Sequence, residues 1–199
     1  MAVISFAHTL LNRTTSRGNR QSKSDEEDGV EFKIGQKVVY PNHGIGTIEQ
    51  IEARQVDGQD NEFYLLRLCA SNSLVMVPTR NADEVGLRSP IGNEQCAILL
   101  KLLAADFTAP PTDWKDRFKE FSDRMRTGDL FSVAEVLKIL TFLSQHKPLS
   151  FREKRMLERA RYLVISELAL AWGEPETRIE PRVDHALQGA CTKHTLASA

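Results

Sequence analysis

The chain has 199 residues, 41% hydrophobic and 27% charged, with a formal net charge of −1, a size that fits one large domain or two small ones. A near-neutral protein is not a polyanion binder by overall charge, so any nucleic-acid surface must come from local sorting of its cations. Cys69, Cys96 and Cys191 are odd in number and form no CxxC; this argues against a disulfide framework or a zinc site and fits a reducing, cytoplasmic setting.

Residues 1–29 read as a disordered extension. Residues 2–11 are mildly apolar, and Arg13, Arg17 and Arg20 follow them, whereas a secretory signal carries its positive charge first. An acidic cluster at 25–28 closes the stretch, which offers little to bury.

From 30 to 90 the pattern is β. Residues 37–40 (KVVY) make a strand stopped by Pro41-Asn42-His43-Gly44, which is turn chemistry. Residues 46–54 alternate, residues 57–61 form a polar hairpin loop, and residues 63–68 return as a strand. Ser71-Asn72-Ser73 turns the chain into residues 74–77, ended by Pro78, and a fifth short strand is expected near Val85. Five short strands with tight turns suggest a small SH3-like or Tudor-like sheet.

From 91 to 173 the pattern is helical. Residues 95–103 (QCAILLKLL) are too apolar for a solvent-facing helix and are expected to pack as a joint between the modules. Phe107 to Pro111 form a stiff linker. Thr112 is then placed to cap a helix over about 113–125. Asp129 is a good N-cap for residues 130–145, whose apolar side chains recur every three or four positions. Ser150 with Glu153 is a capping box opening a long helix to about 172. Residues 174–199 are weakly patterned and read as a flexible tail with a loose turn or two at 183–187. The expected architecture is therefore α+β, a small Tudor-like/SH3-like β-module followed by an all-α helical bundle.

No catalytic constellation stands out. The five histidines are scattered, Gly44-Ile45-Gly46 precedes a strand rather than a helix, and no serine has a nucleophile-elbow context. An enzyme is not expected, and no cofactor or metal is implied. What stands out is PPTDWKDRFK at 110–119. Trp114 opens a helix among Lys115, Arg117 and Lys119, as an aromatic wedge flanked by cations would to enter a minor groove or stack on an unpaired base. The plainer reading has Trp114 plugging a seam between helices. Arg152, Lys154, Arg155, Arg159 and Arg161 form a second basic group, enough for a few phosphate contacts rather than tight binding.

The residues FKIG at 32–35 leading into VVYPNHG at 38–44, PTDW at 111–114, and LS at 149–150 through EKRML at 153–157 to ELALA at 167–171 resemble the CarD family, also called CdnL. That resemblance implies a Tudor-like polymerase-interaction domain and a helical DNA-binding domain acting at the upstream edge of the transcription bubble. It implies binding to the RNA polymerase β subunit, partly by edge-strand pairing, with Arg54, Val75 and Met76 on that surface. Some relatives carry an arginine at the position of Met76. Trp114 falls on the family's minor-groove wedge, and Lys119, Lys154 and Arg155 on its basic DNA-contact positions. Lys115, Arg117 and Arg159 extend the expected DNA face. The partners implied are polymerase and promoter DNA, read without a sequence code, with no membrane and the protein a monomer. Two other readings stay open. One is a pure interaction module that tethers to polymerase without touching DNA, with Trp114 buried. The other is a ligand-reading Tudor-like domain using Phe32, Tyr40, Phe63 or Tyr64 as a cage.

Overall fold

The computed structural model describes residues 31–56, 59–111 and 113–197. The extension expected at 1–29, residues 57–58 of the expected hairpin loop, and Thr112 lie outside them. Strands β1 (Lys37–Tyr40), β2 (Gly44–Val56), β3 (Gln59–Leu68) and β4 (Leu74–Pro78) form an antiparallel meander in the order β1-β2-β3-β4. Period-two alternation turns Val38, Ile48, Tyr64, Leu66 and Val77 inward, where they pack with Phe32. The expected fifth strand is not formed. After Pro78 the chain makes a single 3-10 turn, Thr79–Asn81, then further turns held by Asn81 Nδ2 donating to Glu84 Oε2 and by Gly86 at φ +75°. Such polar turn formers and a positive φ do not sustain a strand, and Arg88 alone pairs, through an isolated bridge to Val39.

The second module holds α1 (Asn93–Leu103), α2 (Trp114–Arg126), α3 (Leu130–His146), α4 (Phe151–Trp172) and α5 (Glu176–Ala197). Helix α1 is not the joint expected of it: Cys96, Leu99 and Leu103 are buried against the bundle helices α3, α4 and α5. Helix α5 replaces the expected flexible tail. Ile179, Val183, Leu187, Ala190 and Cys191 recur at helical spacing and are buried. Arg161 of α4 pairs with Asp184 of α5, and the His194 ring stacks 4.1 Å from that of Phe107. No helix among the described residues is long and apolar enough to cross a membrane.

The joint between the modules is the β1–β2 turn. A Cβ at Gly44 would lie 3.0 Å from Tyr162 Cε1 and 3.2 Å from Leu163 Cδ2, so only glycine lets β2 approach α4 this closely. Pro41 packs on Gly128 in the α2–α3 turn, where a Cβ would lie 2.7 Å from Pro41 Cγ. Beside it Arg88 donates to both carboxylate oxygens of buried Glu167, at 2.6 and 3.0 Å, and to Gly128 O at 2.9 Å. Glu167 Oε1 also accepts from Ile91 N, 3.0 Å. A bidentate pair with a third donor on the same carboxylate fixes orientation as well as distance.

Candidate nucleic-acid interface

Helix α2 begins at Trp114 because Asp113 caps it: Asp113 Oδ1 accepts from Lys115 N at 2.7 Å and Asp116 N at 3.4 Å. The cap expected of Thr112 is thus supplied by its neighbour. Trp114 does not plug a seam; it is 53% exposed, with Lys115 Nζ 5.9 Å from its ring centroid. Lys115, Lys119 and Arg126 follow at i, i+4 and i+11, one exposed stripe down the helix.

Arg117, expected on the DNA face, is instead 3% exposed. Its Nε and Nη2 donate to Glu153 Oε1 at 3.2 and 2.8 Å, and its Nη1 to Pro111 O at 2.8 Å. Glu153 divides its carboxylate. Oε1 takes Arg117, while Oε2 accepts from Ser150 N and Ser150 Oγ at 2.9 and 2.8 Å in the capping box of α4. Burial pushes this carboxyl up, but the hydrogen bonds from Arg117 and Ser150 together outweigh it and hold the group below its ordinary value. Arg117 is therefore a strut tying the start of α2 to the start of α4. The sequence carried a signal for this: Arg117, Phe121 and Met125 lie at i, i+4 and i+8, and all three are buried.

Below the strut, α2 and α4 enclose an open cleft of about 500 Å³. Arg126, Arg152, Arg155 and Arg159 line it, over Phe118, Met125 and Met156, with Asn42 of the inter-module turn at one end. Of the expected DNA-face residues, Arg155 and Arg159 are brought together here. Lys154 is exposed but does not line the cleft, and Lys115 and Lys119 stand nearer the start of α2, on the stripe that reaches the cleft at Arg126. Arg126, Arg152 and Phe118 complete a surface that spacing along one helix could not assemble, because it spans two. Arg161 belongs to the bundle through Asp184.

The sheet offers a different surface. The outer edge of β1 is met by Arg88 at Val39, whereas β4 pairs only with β3. Met76, 38% exposed, opposes Leu65 on the outer face, the face that also carries Arg54. Arg54 donates to Glu52 Oε2 at 2.8 Å. Val75 opposes Leu66 and turns its side chain toward the core, leaving its backbone to the edge. Phe32 and Tyr64 are buried edge-to-face at 5.7 Å, and Phe32 N donates to Tyr64 Oη, 3.1 Å. The aromatic cage reading fails on that packing.

Two family models match successive stretches of the chain. The family model for the CarD-like/TRCF RID domain matches residues 32–91, and that for the CarD C-terminal domain matches residues 98–184. The chain is 34% identical over 153 residues to YdeB, a transcription-factor candidate of Bacillus subtilis (strain 168), covering 75% of this chain and 97% of that protein. The chain belongs to the CarD family. Among solved structures, CdnLNt from Myxococcus xanthus is 40% identical and covers 30% of this chain and 84% of its own, with a TM-score of 0.27. Within this CarD-like chain the RID match takes in the whole meander, and the C-terminal match runs from α1 into α5. The α+β architecture and membership of a transcription-factor family are therefore established together.

Proposed function

We propose that this chain is a monomeric transcription regulator that holds the RNA polymerase β subunit along the β4 edge and promoter DNA with the α2–α4 face, stabilising the open complex. The observation that carries the reading is the exposure of Trp114 at the head of a cation-flanked helix. A wedge must be accessible before DNA arrives, and a polymerase tether alone has no use for one. Inserting a side chain at a base step kinks and unstacks the duplex, which favours melting at the upstream edge of the bubble. The free β4 edge suits strand addition by a partner, with Met76 supplying an apolar side-chain contact and Arg54 a polar one.

Energetics explain why near-neutral charge is compatible with this role. Few phosphate contacts give weak, salt-sensitive binding. Anchoring one module on polymerase makes the second encounter intramolecular, at an effective concentration that can reach the millimolar range. The shift toward the melted state then equals the difference in affinity for melted and closed promoter, and no more.

The test is the lifetime of the open complex with cognate polymerase, comparing no protein, wild type and Trp114→Ala. The wild type is expected to lengthen it, and Trp114→Ala to lose the effect while keeping its affinity for polymerase. If both proteins bind polymerase and neither changes the lifetime, the chain is a tethering module and the DNA role is wrong.

A further inference from the structure

Phe151 stands at the same end of the bundle as Trp114 and plays no part in the reading above. It is the first residue of α4 and, at 73%, the most exposed large apolar side chain among the described residues. A single exposed ring is ordinary; its surroundings are not. The Arg155 guanidinium lies 5.6 Å from its centroid, and that of Arg152 lies 5.7 Å from Phe118. Both arginines line the α2–α4 cleft with Arg126 and Arg159. Arg126 shares Asp123 at 3.5 Å, while Arg152, Arg155 and Arg159 make no ion pair with any described residue. The Arg117–Glu153 strut sets the starts of α2 and α4 side by side, so that Trp114 precedes it by three residues and Phe151 by two. One aromatic–cation pair, Phe118–Arg152, thus lies in the apolar-floored, cation-rimmed cleft, and the other, Phe151–Arg155, adjoins it through Arg155.

The chemistry that matches this surface is a π face beside several phosphates. In a duplex the base faces are covered by their neighbours, and only an unpaired nucleotide presents one to a side chain. We propose that Phe151 and the arginine cleft form a site for the unpaired strand of melted DNA. Phe151 stacks on one base, and Arg152, Arg155 and Arg159 meet the flanking phosphates. The proposal rests on the reading that the α2–α4 face meets promoter DNA. It adds that this face distinguishes a fork from a closed duplex, with Trp114 on the paired side and Phe151 on the open side.

The experiment uses the full chain with a labelled duplex and the same duplex carrying a short unpaired oligo-dT arm, read by anisotropy at low salt. A fluorescent adenine analogue at the first unpaired position of a second fork reports stacking. Wild type is expected to prefer the fork by about fivefold or more, the least that one aromatic stack should give, and to quench the analogue. Phe151→Ala should remove both the preference and the quenching while keeping duplex affinity and melting temperature. Phe151→Tyr, which keeps the ring, should retain them. If wild type does not discriminate the fork, or if Phe151→Ala still does, the inference is overturned, whereas the Trp114 reading keeps its own test in duplex affinity and open-complex lifetime. If wild type binds neither DNA, both fall.

Discussion

Replacing Arg117 by methionine separates a structural cation from a DNA-contact cation. The substitution keeps a long apolar stem but leaves the Glu153 carboxylate, 10% exposed, without its counter-charge. Breaking a buried pair from one side costs about 3–5 kcal/mol. Arg117 also loses its bond to Pro111 O, and a net hydrogen bond is worth about 1 kcal/mol. For a protein of this size 3–5 kcal/mol corresponds to roughly 6–20 °C in melting temperature. The control is Arg155→Met on the exposed face of α4, where surface changes stay within about 0.5 kcal/mol. Urea denaturation of both variants, with DNA affinity measured across a salt series, supplies two independent readings. Arg117→Met should lower stability and leave the salt slope unchanged. Arg155→Met should leave stability unchanged and reduce the slope by about 0.9 for one lost phosphate contact. The strut assignment is refuted if Arg117→Met is as stable as Arg155→Met, or if it lowers the salt slope while remaining folded.

Further outcomes follow from the same contacts. The ionised Glu153 carboxylate is favoured by folding, so its contribution is present above the ordinary value of 4.5 and is lost as pH falls through its depressed folded value. Acid titration of stability should therefore be shallower below pH 4.5 for Glu153→Gln than for wild type. Gly128→Ala and Gly173→Ala both place an alanine at positive φ, but nothing lies within 4 Å of a Cβ at 173. Urea unfolding should show Gly128→Ala to be the more destabilising, by about 1 kcal/mol or more, from its collision with Pro41. Met76→Asp puts a charge on the outer face beside the free edge, and pull-down titration with cognate polymerase should show affinity falling more than about fivefold. An unchanged affinity would move the polymerase contact off β4.

Local chemistry was the most legible part of this chain. The caps Asp129 and Ser150 read directly, because a side-chain oxygen three residues before an exposed N–H is a sequence-local device. The strands of β1 to β4 read from period-two alternation and turn residues, and the fifth failed where Asn81, Asp83 and Gly86 outweighed the apolar Val85. Helix α5 was hidden because Ala186, Ala190, Cys191 and His194 are small or polar, while Pro181 interrupts the local helix signal. Arg117 was misplaced for a different reason. Its charge type argued for the surface, and its register with Phe121 and Met125 argued for the core. Register decided, because Glu153, thirty-six residues away, makes burial tolerable. The cleft was illegible from spacing because one of its arginines, Arg126, comes from α2 and the other three from α4, and only the packing of the two helices makes them neighbours.

The VVYPNHG turn has a mechanical consequence. With Pro41 seated on Gly128, Gly44 against Tyr162, and Arg88 clamped to Glu167, the two modules share one frame instead of being strung on a linker. A molecule built this way behaves as a caliper. The span from the β4 edge to Trp114 is set by covalent geometry and packing, so on the function proposed above, seating one jaw on polymerase would leave the other only one stretch of promoter within reach. The choice of base step would then be made by distance along the DNA, with no need for contacts that read its sequence.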